Sequence, residues 1–165
     1  MVSRPSSDLS YRPASDVLDE TNAELLRELQ TDPRMRHSAL ARRVGMSQPA
    51  VTERVRRLEE SGVIRGYYLD LDPAALGLPL TAFIRVRPHP GLLTEIVALA
   101  QSIPEIVECH RIVGEDGFLL KVYLPAIDQL DRILDRFLLL GTTTTSIVHA
   151  TPIPLRSLPI AVAES

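Results

Sequence analysis

Residues 38–64 read SALARRVGMSQPAVTERVRRLEESGVI, and how this stretch divides into helices decides the fold of the N-terminal part of the chain. Val51, Val55 and Leu58 recur at i, i+4 and i+7, one face of a 3.6-residue period. Ser47, just ahead of them, carries the hydroxyl an N-cap needs, and Pro49 falls in the first turn, where a missing N–H costs no helical hydrogen bond. Gly62 closes this helix. Upstream, Ser38 reads as the cap of a shorter helix from Ala39 to Val44, with Leu40 and Val44 turned inward. Gly45 stands between the two helices, and a glycine enters positive φ without steric cost. Two short helices joined by a tight glycine turn are the centre of a helix-turn-helix.

Working outward, Thr21 and Glu24 have capping-box spacing, and Leu25, Leu26 and Leu29 form the apolar stripe of a first helix. Asp32-Pro33 stops it, because the residue before a proline is pushed out of the α region. A helix-turn-helix domain is therefore expected over 18–66, preceded by a Ser/Pro-rich mobile tail over 1–17. On the other side VIRGYYLDLDP, residues 63–73, alternates as a strand ending at Pro73, and it leads into a connecting strand and linker expected over 67–79.

The periodicity then changes. Leu80, Ala82, Ile84 and Val86 alternate with polar or exposed positions, and Leu92, Ile96 and Leu99 mark a helix ending before Pro104. Ile106 to Val113 and Phe118 to Leu124 read as two strands joined by the hairpin turn Gly114-Glu115-Asp116-Gly117. Ile127, Leu130, Leu134 and Phe137 make a second helical stripe, and the β-branched run from Thr142 to Ala150 a last strand. The order over 80–153 is βαββαβ, the ferredoxin-like plan, and 154–165 is left as a C-terminal tail.

Charge is divided along the chain. Residues 34–65 hold eight arginines against three acids, a balance of +5, whereas 1–33 and 66–165 each balance at -4. The middle segment offers a positive field to phosphates, although a merely solvated helix face would look the same. A single cysteine, Cys109, excludes an internal disulfide and a cysteine zinc cluster, which fits a reducing cytoplasm. His37, His89, His110 and His149 lack metal-ligand spacing, and Cys109 and His110, adjacent in a strand, point to opposite faces. Neither catalysis nor a cofactor has support in the residues, and no run is long and apolar enough to span a bilayer.

The candidates for contact with double-stranded DNA follow from these positions. Arg56 and Arg57 can bind guanine edges or phosphates, and Gln48 and Thr52 can reach bases or backbone from the first turns. Ser38, Ser47 and Pro49 lie at helix starts, where N–H groups suit phosphate oxygens. Arg54, beside the apolar stripe, joins this set unless it pairs within the domain with an acid such as Glu24 or Glu28. Glu53 repels phosphate unless it accepts from cytosine or pairs with Arg57.

LDETNAELLRELQTD, LARRVGMSQPAVTERVRRLEESGVIRGY and CHRIVGEDGFLLKV together resemble the leucine-responsive/asparagine-regulator (Lrp/AsnC) family over roughly residues 18–153. The resemblance implies an α+β chain: an N-terminal winged helix-turn-helix followed by a βαββαβ ferredoxin-like (ACT-like) domain. It further implies a cytoplasmic, nucleoid-associated transcriptional regulator that is not an enzyme, a homodimer joined through the sheets of the second domains and assembling to an octamer, and a small-molecule effector, an amino acid, held between dimers. In the candidate ligand turn, Gly114, Glu115, Asp116 and Gly117 offer backbone N–H groups to a carboxylate and acids to an ammonium. The family often has an acid where this chain has Gly117, so Gly117→Asp is expected to tighten amino-acid binding. Thr143, Thr145 and Ser146 on the last strand complete the candidate pocket. Two other classes stay open on the residues alone: an amino-acid-sensing regulatory subunit of an enzyme, and an architectural DNA-binding protein without a specific operator.

Overall fold

The computed structural model describes residues 18–161; the expected mobile tail lies outside them. The described chain forms two compact units, one of residues 18–68 with 155–161 and one of residues 69–154.

The first unit is built on α1 (Glu20–Thr31), α2 (His37–Arg43) and α3 (Gln48–Glu60). Leu25 and Leu29 of α1, Leu40 and Ala41 of α2, and Val51 and Val55 of α3 form its core, with Met35, Val44, Met46 and Ile64 packed at the margin. The two arms of the helix-turn-helix meet at Gly45, whose φ of 66° is the left-handed conformation the turn requires. Ser47 caps α3 as expected, its hydroxyl accepting from the Ala50 amide at 3.4 Å.

The other two caps differ from expectation. The first helix begins near Asp19 and Thr21 as its pattern implies, but Asp19 is the cap instead of the Thr21–Glu24 box: its carboxylate accepts from the Asn22 amide at 2.6 Å, leaving Thr21 inside the first turn. α2 starts two residues before Ala39, with Arg36 in extended conformation at the cap and no side-chain cap bond. The Arg36 carbonyl takes the Ala39 and Leu40 amides, so Ser38 lies within the helix instead of in front of it. The expected strand over 63–73 does not form within the described chain, where no strand pairs with it. Alternation shows which side chains share a face; a strand also needs a partner for its amides. Tyr67 instead returns to α3, its hydroxyl donating to Glu59 at 3.0 Å. Asp72 caps the Ala74 amide at 2.9 Å and starts a turn closed by Leu78 N–H on the Pro73 carbonyl.

The second unit runs β1 (Leu80–Pro88), α4 (Leu93–Gln101), β2 (Ile106–Arg111), β3 (Phe118–Leu124), α5 (Ile127–Leu138) and β4 (Gly141–Ile147), the expected βαββαβ order. The sheet is antiparallel in the order β2-β3-β1-β4, with Ile84 opposite Leu120 on one side and Thr145 on the other. Ala82, Ile84 and Val86 with Phe118, Leu120, Val122 and Leu124 face the helices, which bury Ile96, Ala100, Leu130, Ile133 and Phe137 against them. At about 25 cal/mol per Å² of apolar surface removed from water, this layer is the main source of the unit's stability. The opposite sheet face carries Phe83, Arg85, Arg87, Leu119, Lys121 and Tyr123, and among the described residues of this unit no helix covers it.

Two details position the candidate site. The β2–β3 loop is closed by Ile112 N–H on the Gly117 carbonyl at 3.0 Å, so its tip is Val113–Asp116, one residue earlier than the composition implied. Gly117 N–H bonds the Val86 carbonyl at 3.0 Å, which draws the loop toward β1. Residues 155–161, expected as a tail, lie along α1: Gln30 donates to the Leu158 carbonyl at 3.0 Å and Arg27 to the Ile160 carbonyl at 3.3 Å.

Candidate nucleic-acid interface and effector region

The buried stripe of α3 dictates what its other side can do. With Val51, Val55 and Leu58 fixed in the core, Gln48, Pro49, Thr52, Arg56 and Arg57 are exposed, as are Ser38 and Ser47 nearby. Thr52 is tied to the start of α2, its hydroxyl 3.0 Å from His37 Nδ1. Arg34, Arg36, Arg42 and Arg65 add exposed cations to the same unit.

Arg54 is the member of the expected set that the structure commits elsewhere. Its Nη1 donates to Asp19 Oδ2 at 2.7 Å and to Asn22 Oδ1 at 2.9 Å, locking α3 to the first turn of α1. The anticipated internal partner was Glu24 or Glu28, but Glu28 pairs with Arg43. The Arg54 hydrogen bond holds the Asp19 carboxyl below its ordinary value. The lock therefore stays charged at neutral pH, and the guanidinium is drawn toward α1, away from the outer side of the helix.

On the outer side Glu53 accepts from both remaining guanidinia: Arg56 Nη2 at 2.7 Å, Arg56 Nε at 3.0 Å and Arg57 Nε at 2.9 Å. Glu60 also receives Arg56. The hydrogen bonds from Arg56 and then Arg57 lower the Glu53 carboxyl to about 2, so it is ionised throughout the physiological range.

In the second unit the loop acids are paired as well. Glu115 receives Arg87 Nη2 at 2.8 Å while its carbonyl takes Arg87 Nε at 2.9 Å, and Asp116 lies 4.0 Å from Arg85 Nε. Arg85 in turn donates to Ser146 Oγ at 3.3 Å. The open sheet face thus brings Glu115, Asp116 and Ser146 together through two β1 arginines that the sequence reading passed over. Their signal was present: Arg85 and Arg87 occupy the outward positions of an alternating strand. Thr143 and Thr145 do not join them, because strand alternation turns these two to the helix side. Gly117 is sterically committed too. A Cβ there would lie 2.8 Å from Pro88 Cδ, so Gly117→Asp is not the simple gain of an acid that was expected.

A separate apolar cleft of about 390 Å³ lies on the helix side of the β2 edge, lined by Leu93, Thr94, Val97, Cys109, Arg111 and Phe118 among others. Burial pushes the Cys109 thiol up, so it stays protonated at neutral pH. Among the described residues no cluster of His, Cys, Asp and Glu could hold a metal ion, and no helix is long and apolar enough to cross a membrane.

Residues 18–65 match a winged helix-turn-helix DNA-binding family, and residues 81–158 match the Lrp/AsnC ligand binding domain. The chain is 37% identical over 135 residues to the leucine-responsive regulatory protein of Salmonella typhimurium, covering 80% of this chain and 82% of that one. It is 37% identical over 123 residues to the HTH-type transcriptional regulator LrpA of Mycobacterium tuberculosis, covering 74% and 82%. Among solved structures, a Neisseria meningitidis transcriptional regulator in complex with L-Met superposes with a TM-score of 0.79 at 28% identity, over 86% of this chain and 96% of that one. LrpC of Bacillus subtilis superposes at 0.78 with 28% identity, over 81% and 96%. These matches extend through both units, and the chain belongs to the Lrp/AsnC family of transcriptional regulators, with a DNA-binding helix-turn-helix and a ligand-binding domain.

Proposed function

We propose that this regulator reads a DNA operator with the outer side of α3 and that an amino acid bound to the second unit changes that reading. The carrying observation is the division of α3: one stripe buried, and Gln48, Thr52, Arg56 and Arg57 exposed on the rest. Arg56 and Arg57 serve base edges or phosphates, Gln48 and Thr52 the adjoining bases, and Ser38 and Ser47 the phosphates at the helix starts, with the Pro49 ring in van der Waals contact beside them. Arg54 serves the fold of the reader and contributes to DNA binding through that.

For the effector, the row Asp116, Arg85 and Ser146 suits a zwitterion, with a guanidinium for the carboxylate and an acid for the ammonium. The L-Met carried by the Neisseria relative supports an amino acid as the ligand class. Gly114, Glu115 and Gly117 shape the loop that presents Asp116. The uncovered sheet face, with Phe83 and Tyr123 among its cations, is the surface through which two protomers pair, and such dimers assemble further to an octamer. The protein acts in the cytoplasm on nucleoid DNA.

Footprinting on the DNA upstream of its own gene, with and without a panel of amino acids that includes L-Met, tests the whole reading. A protected site whose extent changes with one amino acid is expected. No protection at low salt would remove the DNA-reading function. Calorimetry on Asp116→Ala and Arg85→Ala then locates the effector: loss of binding is expected, whereas loss only in Arg111→Ala would move the site to the cleft beside α4.

A further inference from the structure

We propose that Glu53 is the specificity-determining residue of the reading helix: it withholds Arg56 and Arg57 from arbitrary duplex and releases them where a G·C pair meets the helix. The inference rests on the DNA-reading function above and goes further, naming the residue that makes the reading selective and the base pair it selects.

Three carboxylates, Glu53, Glu59 and Glu60, stand on the solvent side of α3 against two guanidinia, those of Arg56 and Arg57. Arg54 does not redress this balance, being held by Asp19 and Asn22. The outer side of α3 is therefore not a positive surface by itself. Glu53 is its centre, accepting three hydrogen bonds of 2.7–3.0 Å from both arginines. A phosphate that takes the Nε–H of either arginine or the Nη2–H of Arg56 displaces Glu53, and one that takes the terminal Nη groups of Arg57 still brings its charge up to the Glu53 carboxylate beside them. Sequence-independent contact is penalised through a broken pair, a like-charge approach or both.

A G·C pair removes both penalties. In the major groove guanine presents two acceptors, N7 and O6, and cytosine presents a donor, the N4 amino group. A guanidinium beside a carboxylate is the complement of that edge. Arg57 or Arg56 takes guanine, Glu53 takes cytosine N4–H, and the pairing between the side chains need not be surrendered. At an A·T pair in the same orientation the thymine O4 acceptor would face the Glu53 carboxylate, and in the reverse orientation the guanidinium meets the single thymine O4 acceptor in place of the bidentate guanine N7 and O6 edge. Exposed ion pairs of this kind contribute little to folding, so the carboxylate can be altered without unfolding the reader.

The test uses the full chain as wild type, Glu53→Gln and Glu53→Asp. Each is put through selection from a randomised duplex library. Its affinity is then measured for the wild-type-selected duplex and for a mixed-sequence duplex across a potassium chloride series. Melting curves confirm folding. The expected result for Glu53→Gln is binding to mixed-sequence duplex on the order of tenfold tighter, the scale of removing one near-surface charge. Its salt slope should steepen by about 0.9, and its selected pool should lose a G·C column that the wild type retains. Glu53→Asp, which keeps the charge, is expected to discriminate against mixed-sequence duplex as the wild type does. The proposal is overturned if Glu53→Gln keeps the wild-type consensus and mixed-sequence affinity. It is equally overturned if Glu53→Gln weakens both duplexes alike at unchanged slope, or if Glu53→Asp behaves as Glu53→Gln. A wild-type chain that binds no duplex would bring down the DNA-reading function itself, and this inference with it.

Discussion

Replacing Arg54 by alanine separates stability from DNA reading on the same helix. The change removes the Nη1 bonds to Asp19 Oδ2 and Asn22 Oδ1, at 2.7 and 2.9 Å. The Arg54 and Asp19 side chains are 33% and 54% exposed, so the ion pair is discounted to the surface range of about 0.2–1 kcal/mol. The bond to Asn22, in a more buried position, adds roughly 0.5–1.5 kcal/mol. A loss of about 1–2 kcal/mol lowers the melting midpoint of a unit this small by roughly 5–15 °C. Asp19→Asn isolates the electrostatic part, because asparagine caps a helix as well as aspartate. A double-mutant cycle between the two changes should give a coupling of about 0.2–1 kcal/mol. The pH dependence has a defined sign. The Arg54 hydrogen bond lowers the folded-state Asp19 carboxyl below its ordinary value of 3.8, so its contribution is complete above that value and is lost as pH falls through the lowered one. Wild type should lose this increment in acid, and both variants should lack it. Calorimetric melting supplies the stabilities, and anisotropy on labelled duplex well below the midpoint supplies DNA affinity. That affinity should change less than about threefold, against the roughly tenfold or greater loss expected for Arg56→Ala if Arg56 makes a bidentate base contact. Wild-type stability in Arg54→Ala, together with weakened DNA binding and a salt slope reduced by about one, would refute the assignment and return Arg54 to the phosphates.

Three further outcomes are expected. Gly117→Ala forces a Cβ against the Pro88 ring at 2.8 Å and should cost the second unit about 1–3 kcal/mol by thermal melting, with a wild-type midpoint arguing that the loop yields freely. Truncation after Pro154 removes the carbonyls bound by Gln30 and Arg27, so hydrogen exchange along α1 should quicken, and exchange at the wild-type rate would show that the segment adds nothing there. Phe83→Asp places a charge at the middle of this sheet face, where Phe83 is 36% exposed, and light scattering should report monomers in place of the dimer proposed for the wild type; an unchanged mass would place the interface elsewhere.

Much of this architecture is written in local periodicity. The spacing of Val51, Val55 and Leu58 fixed the buried side of α3 before any contact was known, because a helix can turn only one stripe toward a core. The alternation from Leu80 to Val86 did the same for β1, since a strand buried on one face repeats every second residue. Gly45 marked the turn because its backbone conformation is one that other residues avoid. One signal was legible and overlooked: Thr145 and Ser146 are neighbours on a strand, so they could never have lined one face together.

What only the tertiary structure decided is who meets whom across the sequence. Arg54 was visibly beside the core stripe, but its choice of Asp19 and Asn22 over Glu24 or Glu28 depends on how α1 crosses α3. Arg85 and Arg87 were plain on the outer side of β1. Their pairing with Asp116 and Glu115 required the Gly117 amide to draw the loop to Val86. The segment from Val63 to Pro73 alternates as a strand and forms none, since among the described residues of this chain no strand pairs with it. Periodicity is a property of one segment and its buried side, so the sequence alone reveals it. Register, long side-chain reach and strand pairing belong to two segments at once, and only the packed chain supplies the second.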